Sequence, residues 1–436
     1  MKNIQKLPIG IKVILFTTLI SGYFCGMVSA EISGAIFGKR GGHFHPFITM
    51  DLNYTDNFNY SDQFPETEYL SLITPGLLVS YPGKKLNAPG ITILNVVSPG
   101  ARKLTGIEKK PDRRFQSSII VDYEILNHKE NSELDVFYPN IESMVQYSMR
   151  GGLSLKMSAQ YQEAQDSMKN NDINNLPTYD ISKYVAKVFE SDLFYRLSDK
   201  IEVGLEYTGF NLDYRNQTAD FIKDRMDHFF LFSFSYYIFE KTALFLETDV
   251  TDISYGTMHE LDSILKNYYI GVQWDLSEKF QGNLRGGWGI KDLADPEIDK
   301  SQNFIFQGSI YYAATSKVTL GLDLFRGHTE TDIKGTDYIL QNSFGGSYSH
   351  MLNDRLSFFS RLYVLGSTYK GGNGPDGGSG RNGLANKSYM ATLMIKYILN
   401  GWLQVKMDYS YETRISDFPG GDYDNNIAAI GLQACL

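Results

Sequence analysis

From about residue 117 onward the chain repeats one unit: a strand-length segment of alternating apolar and polar residues, a very short turn, a second such segment, then a longer polar loop. The short turns fall at 149–152, 198–200, 240–241, 277–279, 315–317, 353–355 and 400–401. They carry Gly, Asn and Asp, the residues that take the positive φ values of tight hairpins, with Asn400-Gly401 as the strongest such signal. The longer connections lie near 165–182, 215–226, 256–265, 292–301, 329–337, 369–386 and 414–425 and are rich in Gly, Asp, Asn and Lys. Short and long alternate strictly. A soluble sandwich has no reason for that asymmetry, whereas a closed antiparallel barrel in an outer membrane has tight turns on its periplasmic side and long loops outside.

Within the segments the period is two. Leu403, Val405, Met407, Tyr409 and Tyr411 fall on one face of a strand, and Gln404, Lys406, Asp408, Ser410 and Glu412 on the other. Near the strand ends the apolar face carries Tyr268, Trp274, Phe280, Trp288, Phe304, Tyr312, Tyr397, Trp402 and Tyr411. Rings so placed form the interfacial girdles of membrane barrels. Mean hydropathy is only -0.26 although 14% of residues are aromatic; a barrel needs just every second residue to be greasy, so its average looks soluble. The expected fold is all-β: a transmembrane up-and-down antiparallel barrel of about 18 strands. It starts with segments 45–54 and 69–80 and closes with 426–436.

Residues 1–30 read as a secretory signal peptide, with Lys2, Lys6 and Lys12 as the basic region, an apolar stretch from Val13 to Val28, and Val28-Ser29-Ala30 as the cleavage site. A short periplasmic segment, 31–44, would precede a barrel spanning 45–436. Cys25 lies in the leader and Cys435 beside the C-terminus, so no internal disulfide is expected. Residues 81–116 break the alternation. They should form a periplasmic turn yet are long, and they hold Lys84, Lys85, Arg102, Lys103, Lys109, Lys110, Arg113 and Arg114. A solvated connection is one reading; a plug or a docking surface is the other.

A net charge of -9 excludes a nucleic-acid partner. None of the seven His residues stands in a catalytic or metal-binding spacing, and no phosphate-cradling glycine loop is present. His43 and His45 would share one strand face, from which they could ligate a metal, but they read first as a simple rim position. Gly371–Gly383 reads as a loop, and the aspartates of 414–424 as a solvated loop tip. Neither an enzyme, nor a cofactor, nor a metal is expected.

Strand parity instead defines an inner face. It places Asp51, Asp122, Glu124, Glu190, Asp192, Glu202, Glu206, Glu247, Asp249, Asp275, Asp323, Asp408 and Glu412 in the lumen, against Lys156, Arg196, Arg285, Lys291, Arg361, Lys396 and Lys406. Acids outnumber bases, so the field inside should disfavour polyanions. Tyr269, Tyr311, Phe325, Phe359 and Tyr363 also point inward, where they either stack on sugar rings or fill space.

His45-Pro46-Phe47-Ile48, Tyr54-Thr55-Asp56-Asn57-Phe58 and Tyr69-Leu70-Ser71-Leu72-Ile73-Thr74-Pro75-Gly76-Leu77 resemble the opening of the putative beta-barrel porin 2 family. Tyr269–Asp275 and Gly286-Gly287-Trp288-Gly289 are similar to it as well. The resemblance implies an outer-membrane conduit, because members often accompany exopolysaccharide operons, with a glycan as cargo and a periplasmic export complex as partner. The 81–116 insertion departs from the family and leaves any periplasmic contact geometry open. Outer-membrane lipid and the barrel-assembly machinery are the partners expected of any such barrel. Two other readings stand beside export: a general or cation-leaning diffusion porin, and a non-transporting barrel whose loops bind a ligand.

Overall fold

The structure, a computed structural model, describes residues 42–82, 114–165, 183–215, 224–257, 259–277, 279–296, 300–330, 336–371 and 383–435. The strands are β1 (Phe44–Thr55), β2 (Glu68–Tyr81), β3 (Phe115–His128), β4 (Val136–Ser148), β5 (Leu153–Gln165), β6 (Lys183–Arg196), β7 (Ile201–Tyr214), β8 (Arg225–Phe239) and β9 (Thr242–Tyr255). They continue as β10 (Ser263–Ser277), β11 (Phe280–Leu293), β12 (Ser301–Ala313), β13 (Val318–Thr329), β14 (Tyr338–Met351), β15 (Leu356–Lys370), β16 (Ala385–Asn400), β17 (Leu403–Ser416) and β18 (Tyr423–Cys435). Each pairs antiparallel with its sequence neighbour, and β1 pairs with β18 from Phe47↔Cys435 to Thr55↔Ile427, so the 18-stranded sheet closes on itself. Closure leaves the sheet without an edge strand, which is what a sheet in hydrocarbon requires. With strands about 4.8 Å apart and tilted by about 40°, such a wall is roughly 36 Å across.

The period-two pattern becomes two surfaces. On β10, Tyr268 and Ile270 are 50% and 63% exposed, while Asn267 and Tyr269 between them are 4% and 8%. Large apolar side chains occupy the exposed parity in every strand, an inversion of soluble packing that only a lipid surround makes favourable. Two aromatic belts bound this surface. At the turn end Phe280 packs 5.7 Å from Trp274 and 6.4 Å from Tyr312, and at the loop end Trp288 lies 5.9 Å from Phe304. Phe280 and Trp288 share β11, so the belts are about 26 Å apart along the strand, or about 20 Å along the axis of a barrel whose strands tilt by about 40°, which fits within the ~25 Å apolar band of such barrels.

The tight turns use different chemistry from that expected. Positive φ occurs at Gly152, where a Cβ would lie 2.8 Å from the Arg196 carbonyl, but not at Gly401. There Asn400 Oδ1 accepts the amides of Trp402 and Leu403, and Asn353 Oδ1 does the same for Arg355 and Leu356. The Asn side chain imitates a turn carbonyl, which removes the need for a left-handed residue. At the loop end, aspartates just past the strands accept strand-terminal amides: Asp135 from His128, Asp224 from Tyr214, Asp262 from Tyr255 and Asp417 from Ala385, at 2.6–2.9 Å. That role explains why the long loops are rich in Asp.

Glu68 is the most connected of these caps. Its buried carboxylate accepts the amides of Tyr69, Lys129, Glu130 and Asn131 and the Asn131 side chain at 2.6–3.2 Å, tying the start of β2 to the β3–β4 loop. Glu68→Ala is expected to destabilise the barrel by at least about 2 kcal/mol, because buried donors lose their acceptor. It should also expose 129–135 to limited proteolysis; unchanged digestion and an unchanged urea midpoint would refute the assignment.

The 81–116 insertion leaves and rejoins the wall at neighbouring points, with Tyr81 paired to Ser117 and its ring 5.9 Å from that of Phe115. Its interior, 83–113, lies outside the described residues, as do residues 1–41 with the expected signal peptide. His43 and His45 do not share a face. The strand begins at Phe44, so His43 escapes its parity and stacks on the exposed Tyr81, whereas His45 is wholly buried.

Candidate functional site: the barrel lumen

Every parity-derived inner residue sits on the face opposite the exposed apolar set, and the structure divides that face into two unlike halves. On the β13–β18 side the charges reach water: Asp323 and Arg361 pair at 3.6 Å with side chains 35% and 38% exposed, and Lys406 meets Asp51 at 2.8 Å. Lys396 stands opposite Lys406 across the strand pair, and Asp408 lies two residues along β17. Phe325, Phe359 and Tyr363 are half-buried here, with the Arg361 guanidinium 5.1 Å from the Tyr363 ring centre; Tyr311 is 46% exposed. On β3–β6, Glu124 lies beside Asp122, which accepts from Asn140 at 3.0 Å; Lys156 pairs with Asp192 at 3.6 Å, and Ser158 donates to Glu190 at 2.9 Å.

On β7–β12 most of the inner charges are buried. Arg285 forms an ion pair with Glu247, donates to Gln307 at 2.7 Å and lies 4.3 Å over the Tyr269 ring. Asn267 donates to Asp249 at 2.7 Å beside the buried Glu206, and Gln281 to Asp275 at 2.9 Å. Arg196 of β6 lies 4.7 Å over Tyr237 of β8, whose hydroxyl donates to Glu202, and on the otherwise water-facing side Tyr423 of β18 donates to the buried Glu412 of β17 at 2.7 Å. Pairs taken out of water are near break-even while intact and costly to break, so these charges hold the wall's shape rather than meeting solute.

The most developed cluster was only half visible in the sequence. The β12–β13 ladder stops at Phe306↔Arg326, whereas β13 stays paired with β14 up to Thr329↔Ile339. Freed from β12, this end leans over the inner wall: His328 bonds Ser301 and Asn303, and Tyr338 lies 2.6 Å from Ser301 Oγ. The next residue but one, Glu330, accepts from Lys291 of β11 at 2.6 Å and from Tyr255 of β9 at 3.1 Å. Arg225 and Asp227 of β8 pair at 2.9 Å alongside. Lys291 was on the parity-derived face; Glu330 was not, because it lies in a loop where parity has no meaning. Arg225, Asp227 and Arg414 follow inner parity but sit at or near strand ends, where boundaries read from sequence are least certain. Among the described residues no group of His, Cys, Asp and Glu is arranged to hold a metal ion.

A closed, 18-strand antiparallel wall with a belted apolar outside and a charged inside is the fold of an outer-membrane β-barrel porin, a channel class of the bacterial outer membrane. The model of the family described as "Putative beta-barrel porin 2" matches residues 231–435, from β8 to the closing strand, and takes in the Tyr269–Asp275 and Gly286–Gly289 motifs. Among solved structures the chain is similar to the outer membrane protein opdK from Pseudomonas aeruginosa, at 12% identity over 90% of this chain and 99% of that one, TM-score 0.45. It is also similar to OccK2 (OpdF) from Pseudomonas aeruginosa, at 10% identity over 92% and 99%, TM-score 0.49. A third is the alcaligin outer membrane receptor FauA from Bordetella pertussis, at 12% over 90% and 76%, TM-score 0.40. No curated protein matches the chain.

Proposed function

We propose that the protein is a diffusion porin for small hydrophilic solutes, leaning towards cations. The observation that carries this reading is the half of the inner wall where Asp323, Arg361, Asp51 and Lys406 stay in contact with water, inside a cylinder too wide for side chains alone to fill. The acid excess over the whole inner face sets the sign of the preference. In planar bilayers the mature chain is expected to form steady pores whose reversal potential in a KCl gradient favours K⁺. Asp323→Asn with Asp408→Asn should shift that potential towards zero by a measurable margin. A barrel that inserts but carries no current would sink this reading.

Export of an exopolysaccharide is the second reading. It draws on the family resemblance and on Tyr311, Phe325, Phe359 and Tyr363, which lie on the water-facing side where rings can stack on sugars. Tyr311→Ala with Tyr363→Ala should then lower secreted glycan while leaving KCl conductance intact. Normal secretion from a deletion strain would discard it. Insertion through the barrel-assembly machinery and contact with a periplasmic export complex follow from these readings and are tested by co-purification.

A further inference from the structure

We propose that the turn-side mouth of the barrel carries a crown of cations that binds a soluble polyanion from the periplasmic side. The residue before each odd-numbered strand occupies one structural position, fixed because its carbonyl accepts an amide near the end of the even-numbered strand that follows and pairs with it. At that position stand Arg114, Lys200, Lys241, Lys279, Lys317 and Arg355, whose carbonyls accept from Ser148, Tyr237, Asp275, Ala313, Met351 and Ile398 at 2.7–2.8 Å. All six side chains are exposed. From Lys200 to Arg355 the series runs unbroken over five consecutive hairpins; His43, Gly152 and Trp402 fill the remaining places.

Position and charge together point to the aqueous mouth. Each cation precedes the first outward side chain of its strand, so it continues the inner parity unless an outward ring draws it away, as Tyr147 does Arg114 at 5.6 Å and Tyr81 does His43 at the same position before β1. Lys200, Lys241, Lys317 and Arg355 form no ion pair among the described residues. The neighbouring turn acids Asp199, Glu240 and Asp354 oppose the field without quenching any one cation by contact. Adjacent members are two strands apart, about 10 Å, which is close to the Debye length at physiological salt. A small anion therefore meets one screened cation at a time, whereas a flexible polyanion meets several and releases its own counterions as it does so. The acid excess inside the lumen makes the crown distinct from the general charge of the chain: anions are attracted at the mouth and disfavoured beyond it.

Labelled inorganic polyphosphate titrated against the detergent-purified barrel, followed by fluorescence anisotropy, reads this directly. At low salt the wild type is expected to bind, and Lys200→Gln, Lys241→Gln, Lys317→Gln and Arg355→Gln together should weaken binding at least about tenfold, with loss in high salt. Lys200→Gln with Lys241→Gln, and Lys317→Gln with Arg355→Gln, should each lose part of the affinity, Asp199→Asn with Glu240→Gln and Asp354→Asn should tighten it, and Lys129→Gln with Lys300→Gln at the opposite rim should change nothing. No binding by the wild type, or equal binding by the fourfold variant, overturns the proposal. So does a result in which native mass spectrometry shows the same cations retaining phosphatidylglycerol while polyphosphate is ignored. Binding needs no ion flow, so a barrel that binds polyphosphate but does not conduct refutes the porin reading and leaves the crown standing.

Discussion

Glu330→Gln is expected to destabilise the barrel by about 3–5 kcal/mol and to enlarge the loop-side opening, because it strands the ammonium of Lys291, a side chain with no exposure at all, without its carboxylate. Urea unfolding in lipid vesicles gives the first quantity and single-channel conductance the second. The double variant Lys291→Met with Glu330→Leu should recover most of the stability, since an apolar pair of similar size replaces an ion pair at little net cost, but it should not recover the lean of the β13–β14 end. If the single and double variants lose the same stability, the buried pair is not what secures this end. Acid should mimic the single variant. Burial by itself pushes the Glu330 carboxyl up, but Lys291 and Arg225 outweigh it and hold the group below the ordinary carboxylate range. A depressed folded value contributes stability that is full above the unfolded value and disappears as pH falls through the folded one, so the contact should persist at neutral pH and fail only in strong acid. Asp227, Tyr255 and His328 also face this carboxylate, and none of them replaces the lysine.

Ile270→Arg is the second large effect. Ile270 is 63% exposed near the middle of β10, opposite Leu246 on β9, where hydrocarbon should surround it. A guanidinium there is expected to cost about 2–4 kcal/mol in a bilayer. Met394→Arg is the matched control: it faces the lumen, half-buried and directly opposite Asp408, and should cost little. Equal effects of the two substitutions would mean that the exposed apolar surface does not meet lipid, and the membrane-spanning reading would fall with it.

Most of the wall was legible before any coordinates. Alternation along 280–291 or 402–412 needs only local sequence to be read, because a strand sends neighbours to opposite sides whatever its partners are. The turns were located correctly, yet their mechanism was not: Asn400 works through its side chain rather than through a left-handed backbone. The aspartates of 414–424 read as a solvated loop tip, yet Asp417 holds the end of a strand, as Asp135, Asp224 and Asp262 do in other loops, a partnership invisible until the loop's path brings carboxylate and amide together.

The sequence by itself determined which residues face which way, that the strands run up and down, and that they close into a cylinder, since period two and alternating connection lengths are one-dimensional patterns. Only the tertiary structure decided which inner charges meet water and which are sealed into pairs, because burial depends on what lies across the lumen. It alone set Glu330 against Lys291 and aligned Lys200 to Arg355 along one rim: the first is a contact between a loop and a strand 39 residues away, and the second is a register shared by hairpins that never touch in sequence.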